Sequence, residues 1–323
     1  MPIRPNLLER LLFFRLHRAP APLLDLLSAA GFRATCAAID AGVFEAMADG
    51  QESPGAIAEA VDAHPDGVRT LLAFLEPLGY VRATDEGFAP TTATTRWLVG
   101  DDQNLAPWFT YWNDLLFAYW DEHLDTVLRE GEPPVTMYEW LDDRGGWEQT
   151  QRGFRAVATL LADDVLDAAE LPRGEATLLD VGGGHGYYAI EACRRRPDLR
   201  ATIVDAPAAL DVAREDVERL GMTDRVTCRG ADALVDDLGD GYDLAFCFNV
   251  VHGHDPDTNR ALFDRIHEAL VPGGRLAVLD QFAGEAPMNV APVGLAATRF
   301  IYETALDATV YEAEAIEGWL AET

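Results

Sequence analysis

The chain contains no lysine: all 25 of its basic residues are arginine, set against 55 aspartates and glutamates for a net charge of −30 over 323 residues. Such a surplus excludes nucleic acid and anionic membranes as principal partners, because both need an attractive basic footprint. It also makes the surface repel itself until salt shortens the Debye length from its physiological value of about 8 Å. Cysteine is scarce as well. Cys36, Cys193, Cys228 and Cys247 show neither paired metal-ligand spacing nor a disulfide framework; they lie in apolar segments and suit reduced core thiols. No metal site is expected. No window of 18 uncharged apolar residues exists, so no membrane span is expected either. Arg4, Glu9, Arg10, Arg15 and Arg18 interrupt the N-terminal apolar stretches, which argues against a cleaved leader and for a cytoplasmic protein.

What is present is enough apolar sequence, 49% of the residues, to build a large core, and a length that suits about two domains. Residues 6–17 and 22–48 carry apolar side chains at helical spacing. Ser53 and Pro54 open a short helix over 54–61, and residues 66–78 form another. YVRATDEGFAP then reads as two short strands around a polar turn. Helices followed by such a hairpin make a winged-helix unit over residues 1–100. Its candidate recognition helix, Asp66–Pro77, offers only Arg69 as a base and carries Glu76, so protein–protein contact suits the unit better than DNA.

Residues 101–170 are helical and densely aromatic. Most of these rings are ordinary core, but Trp108, Trp112 and Phe154 are candidates for lining a pocket for a flat, apolar substrate. From residue 171 the pattern becomes strand–helix alternation: ATLLDVG, RATIVDA, RVTCRG, YDLAFCFNVV and RLAVLDQF, separated mainly by helices over 186–196, 207–220 and 257–270. That alternation predicts an α/β domain, a Rossmann-like, doubly wound and mostly parallel sheet.

The strongest local signal lies in LLDVGGGHGYYAIEACRRRPDLRATIVDAP. A buried strand ends in Asp180, glycines turn the chain, and a helix starts at once; glycine there lets a ligand approach the backbone closely. Asp205 ends the next strand, 23 residues after Gly182, where an acid grips ribose hydroxyls in doubly wound folds. Gly184-x-Gly186-x-x-Ala189 also fits a dinucleotide pattern formally. Asp180 speaks against that reading, since a carboxylate before the turn repels a pyrophosphate and suits a cationic ligand such as S-adenosylmethionine.

DVGGGHG, VDAP, GADAL, NVVHGHDP and LVPGGRLAVLD together resemble the class I O-methyltransferases of the hydroxyindole and plant small-molecule type, over nearly the whole chain. The resemblance implies an N-terminal winged-helix dimerisation domain, hence a homodimer, and S-adenosyl-L-methionine as cofactor. It implies that Gly182 and Gly184 meet the methionine part, Asp205 the ribose, Asp232 the adenine amino group and Ala233 the adenine ring. Phe248 stands at a cofactor position that is often polar or basic in the family. The methyltransferase domain runs over 171–323. The family's closing antiparallel hairpin has no counterpart after the last helix, so either the sequence stops short of that hairpin or its sheet ends at five strands.

Methyl transfer from a sulfonium needs alignment and removal of the acceptor's proton. A phenol has a pKa of about 10, so a base that titrates near neutrality helps, and His252, at the carboxyl end of a strand, is placed for it. The resemblance makes His252 the catalytic base and Asp280 the acid that orients it. His254 is close enough to compete or to touch substrate, and the expected second acid is replaced by Val310. The acceptor is a small, hydroxylated and aromatic molecule. Carbon methylation on the same scaffold, an NAD-dependent oxidoreductase and a non-enzymatic dimerisation module remain alternatives. The acidic, lysine-free composition further resembles that of proteins from salt-loving archaea.

Overall fold

The computed structural model describes residue 3 and residues 5–100, 103–283 and 291–323. Arg4 and the expected domain boundary at 101 lie outside these residues. The chain divides into two units, Met1–Asn113 and Asp114–Thr323.

Among its described residues the first unit is built of helices and one hairpin. Helix α1 (Leu7–Arg10) starts with a reciprocal cap between Asn6 and Glu9 and runs into a π-turn over Leu11–Arg15. The apolar run 22–48 is not one helix: α2 (Pro22–Asp40) stops and α3 (Val43–Ala48) begins across Gly42, whose φ of 73° is left-handed. Ser53 caps α4 (Pro54–Ala60) through Ala56 N–H, and the His64 ring caps α5 (Pro65–Leu75) through Asp66 N–H. Strands β1 (Val81–Ala83) and β2 (Phe88–Pro90) pair antiparallel, followed by α6 (Thr92–Leu98) and α7 (Ala106–Thr110). Phe44, Ile57, Leu72 and Leu75 close the core of this unit. Among the described residues α2 alone is long and apolar enough to cross a membrane, by length and mean hydropathy (1.2); it also carries Asp25 and Arg33.

The second unit opens with α8 (Phe117–Glu130), α9 (Met137–Arg144) and the long α10 (Trp147–Ala168). A parallel sheet follows, built from β3 (Ala176–Val181), β4 (Leu199–Asp205), β5 (Val226–Gly230), β6 (Tyr242–Phe248) and β7 (Leu270–Leu279) in the order β5-β4-β3-β6-β7. Helices α11 (Tyr187–Arg195), α12 (Asp211–Arg219), α13 (Pro256–Ala269), α14 (Ala291–Ile301) and α15 (Ala313–Glu322) complete it. β7 starts five residues before the expected RLAVLDQF run and ends before Asp280, because its backbone pairs at Leu270 with Tyr242 and then bulges before Arg275 meets Leu244.

Pleating sorts the core into two layers. Leu178, Ile203, Leu244 and Phe246 face α10, α11 and α12, whereas Leu179, Val181, Val204 and Cys247 face α13 and α15. The strand order reverses between β3 and β6, and ligands of open α/β sheets bind beyond the carboxyl ends at such a point.

Candidate functional site

The loop after β3 folds against the end of β4. Gly182 and Gly183 N–H both donate to the Val204 carbonyl, at 2.8 and 3.3 Å, and Gly184 N–H donates to Asp205 Oδ2 at 2.8 Å. Gly186 N–H reaches the Gly183 carbonyl and Tyr187 N–H reaches His185 Nδ1. These amides are thus spent inside the loop, unlike those of a turn that cradles a pyrophosphate. Glycine is required where the walls are close: a Cβ on Gly182 (φ 67°) would lie 2.4 Å from Val250 Cγ2, and one on Gly184 (φ 40°) 2.5 Å from Gln151 Oε1.

Asp180 is buried one strand-step below the loop, on the same face as Ile203 and Phe246. Burial, and then repulsion from Asp205, push its carboxyl up to about 8. A cation beside it relieves both costs, so the residues present fit a positively charged ligand. Asp205 also rises on burial, opposed by the N–H bonds from Ala206 and Gly184. Burial, helped by the Arg155 guanidinium, takes His185 down to about 3 and keeps it neutral.

Beyond β5, Ala231 N–H donates to the Asp205 carbonyl, and Asp232 Oδ1 accepts Leu234 N–H at 2.8 Å. Arg265 from α13 holds this loop through the Ala233 and Asp236 carbonyls. The structure therefore places Gly182, Gly184, Asp205, Asp232 and Ala233 along one edge of the sheet. Phe248 has the parity of Phe246 in β6 and is buried, stacked on Phe246 (4.4 Å) and edge-on to Tyr188 (5.2 Å).

At the end of β6 the backbone turns at Asn249, a non-glycine residue at φ 57°, into a short 3₁₀ turn over Val251–Gly253. His252, on that turn, is buried. Its Nδ1 lies 2.9 Å from Asp280 Oδ1 and 3.1 Å from Oδ2, and its backbone N–H donates to Oδ2 at 3.1 Å. Gln281 N–H donates to Oδ1 at 2.7 Å. The carboxylate acts as acceptor throughout, so the hydrogen sits on His252 Nδ1 and the lone pair on Nε2, where a proton can be taken up. His254 is half-buried; burial and then His252 hold its imidazole below the usual range. Its carbonyl is gripped by Asn259 Nδ2 (3.0 Å) and the Tyr311 hydroxyl (2.7 Å).

Among the proposed substrate contacts, Trp108 stacks on Tyr111 and meets Trp112 edge-on in the first unit, while Phe154 lies on α10 of the second. Several site neighbours were not singled out as site residues in the sequence. Gln151 on α10 faces Gly184. Tyr138 on α9 stacks on Trp147 at 5.5 Å, and its hydroxyl is pushed up to about 12 by burial, with the Asp205 and Asp280 carboxylates adding to it. Trp120 on α8 stacks with Phe117, contacts Phe300 and donates its indole N–H to Thr304 Oγ1 at 3.0 Å.

The family model of the O-methyltransferase domain matches residues 135–303, which spans α9, the sheet and the His252–Asp280 pair. The chain belongs to this O-methyltransferase family. It is 28% identical to the 3-hydroxy-5-methyl-1-naphthoate 3-O-methyltransferase of Streptomyces sahachiroi, over 75% of this chain and 71% of that protein. It is 29% identical to the mitomycin biosynthesis 6-O-methyltransferase of Streptomyces lavendulae, over 79% and 75% of the two chains. In fold it is similar to human N-acetylserotonin methyltransferase in complex with S-adenosylmethionine, with a TM-score of 0.78 at 20% identity, covering 94% of this chain and 92% of that one. The family's methyl donor is S-adenosylmethionine, which decides between the cationic and the dinucleotide readings of the glycine loop.

Proposed function

We propose that this O-methyltransferase moves the methyl group of S-adenosylmethionine to a hydroxyl of a small aromatic molecule, with His252 as general base and Asp280 as the residue that orients it. The observation that carries this reading is the His252–Asp280 contact: Nδ1 is committed to a buried carboxylate at 2.9 Å, which leaves Nε2 as the proton acceptor at the carboxyl edge of the sheet.

Gly182 and Gly184 let the donor's methionine part approach the backbone, Asp180 balances its positive charge, and Asp205 takes the ribose hydroxyls. Asp232 and Ala233 receive the adenine, and Tyr138 closes over the same space. When bound, S-adenosylmethionine supplies a methyl group on a sulfonium whose leaving form is a neutral thioether. His252 Nε2 takes the acceptor's O–H proton as the oxygen–carbon bond forms and the carbon–sulfur pair stays on sulfur. Within the second unit, substrate contacts are assigned to Phe154 and His254, with Trp120 and Phe300 as further aromatic walls. Relatives named for naphthoate and mitomycin acceptors support a fused-ring or quinoid phenol.

The first unit is read as a winged-helix dimerisation domain, since Leu7, Leu8, Phe14 and Leu26 are all more than half exposed on its N-terminal helices. The enzyme is read as a cytoplasmic homodimer adapted to concentrated salt, with neither nucleic acid nor membrane as partner. Labelled methyl transfer to a panel of phenols and naphthols tests the activity. Appearance of label in an ether product supports it, and label in a carbon–carbon bond points instead to carbon methylation.

A further inference from the structure

Tyr302 is far from His252 in sequence, yet its ring lies on the imidazole with centroids 3.9 Å apart and planes 14° from parallel. Both rings are buried. Tyr302 opens a π-turn, Tyr302–Leu306, at the end of α14, and the chain reverses at Asp307, whose φ of 50° is left-handed. The returning strand of backbone also holds the histidine: Thr309 N–H donates to the His252 carbonyl at 3.1 Å, and Ala308 N–H closes the turn on the Tyr302 carbonyl at 3.1 Å. One short segment therefore grips His252 by its ring face and by its main chain.

We propose that Tyr302 is a positioning residue for His252, its ring face fixing the plane of an imidazole that Asp280 holds only at one edge. This rests on the reading of His252 as the base. A bond at Nδ1 sets the tautomer but leaves the ring free to swing about that bond. A near-parallel aromatic face at van der Waals distance removes the swing on one side and keeps the Nε2 lone pair aimed. The same face, negative at its centre, steadies the imidazolium that forms when the acceptor's proton arrives. Among the described residues the titratable groups against His252 are Asp280 from the end of β7, Tyr302 itself and His254 on its own loop. Asp280 supplies the carboxylate and Tyr302 the face.

The test compares Tyr302→Phe, Tyr302→Leu and the volume-conserving Tyr302→Met with His252→Gln in the full-length enzyme, using phenols of graded acidity from pH 6 to 9. Tyr302→Phe keeps the face and should stay within about threefold of the parent in kcat. Tyr302→Leu and Tyr302→Met should lose roughly ten- to a hundredfold in kcat on a weakly acidic phenol at pH 7, a part of what a positioned base contributes. The KM for S-adenosylmethionine should not move, and the deficit should close with a nitrophenol that is already ionised. A deficit equal across acceptors and pH, or a Tyr302→Phe variant as impaired as Tyr302→Leu, overturns the proposal. In the parent enzyme, ring current from Tyr302 should shift the His252 ring-proton resonance upfield; an unshifted signal overturns it even if the apolar variants do not fold. If His252→Gln shows no acceptor-dependent loss, the base reading falls and this proposal with it. If His252→Gln shows that loss and folded Tyr302→Leu does not, this proposal alone falls.

Discussion

The Asp205 carboxylate accepts the Gly184 N–H at 2.8 Å on one oxygen and the Ala206 N–H on the other, so the glycine turn and the end of β4 are fastened by a single side chain. Removing it strips two N–H groups of their acceptor and takes away the grip assigned to the ribose. Asp205→Ala should weaken adenosylhomocysteine binding roughly ten- to a hundredfold, the ~1.5–3 kcal/mol usual for hydrogen bonds to a charged group. Calorimetric titration checks this, and unchanged affinity would remove Asp205 from the cofactor site.

Much of this edge is legible in the sequence because it is local. Asp180, the glycines and Asp205 sit within one strand–turn–helix–strand unit whose geometry any β-rich run followed by glycines dictates. Asp280 needed the family resemblance, since its bond to His252 joins residues 28 apart that lie beyond the ends of two different strands. Tyr302 and Gln151 were illegible for a physical reason: they reach the site from a π-turn and from α10, and nothing in their own neighbourhood marks them. Phe248 was the opposite case. Alternation along YDLAFCF already gives it the parity of Phe246, and that parity sends it into the core. The break at Gly42 was missed because apolar spacing continues across it while the backbone does not.

Stability should follow Asp180 and His185 in opposite directions. Asp180 has its folded pKa raised to about 8, so the stability tied to its neutral form is complete below the unfolded value of about 4 and is lost as pH climbs through 8. His185 is held down to about 3, so its contribution is complete above about 6.5 and is lost as pH falls below that. The ligand-free enzyme should therefore melt at a higher temperature at pH 6.5 than at pH 8.5, and between pH 6.5 and 5, where the two contributions oppose each other, the melting temperature should level off. Molar KCl should raise the whole curve by screening the −30 net charge. A melting temperature that climbs steadily from pH 6.5 to 8.5 would contradict the Asp180 assignment, and a flat salt profile would contradict the halophilic one.

The N-terminal leucines make a prediction about assembly. Leu7 is 86% exposed and Leu26 65%, on helices that leave such side chains uncovered. A two-fold interface buries that surface in both copies at once. Light scattering should find dimers for the full chain, and monomers or aggregates once residues 1–20 are removed. A full-length monomer would refute the dimer.

The most direct test of the account is His252→Ala assayed against a weakly acidic phenol at pH 7, with adenosylhomocysteine affinity measured in parallel. The loops that carry Gly182, Asp205 and Asp232 are separate from the turn that carries His252, so affinity should stay within about twofold. Methyl transfer should fall by roughly 10²- to 10⁴-fold, the usual contribution of a positioned base, and the loss should shrink as pH nears the acceptor's own pKa. Full turnover by His252→Ala, or its survival alongside a dead His254→Ala variant, would contradict the central assignment.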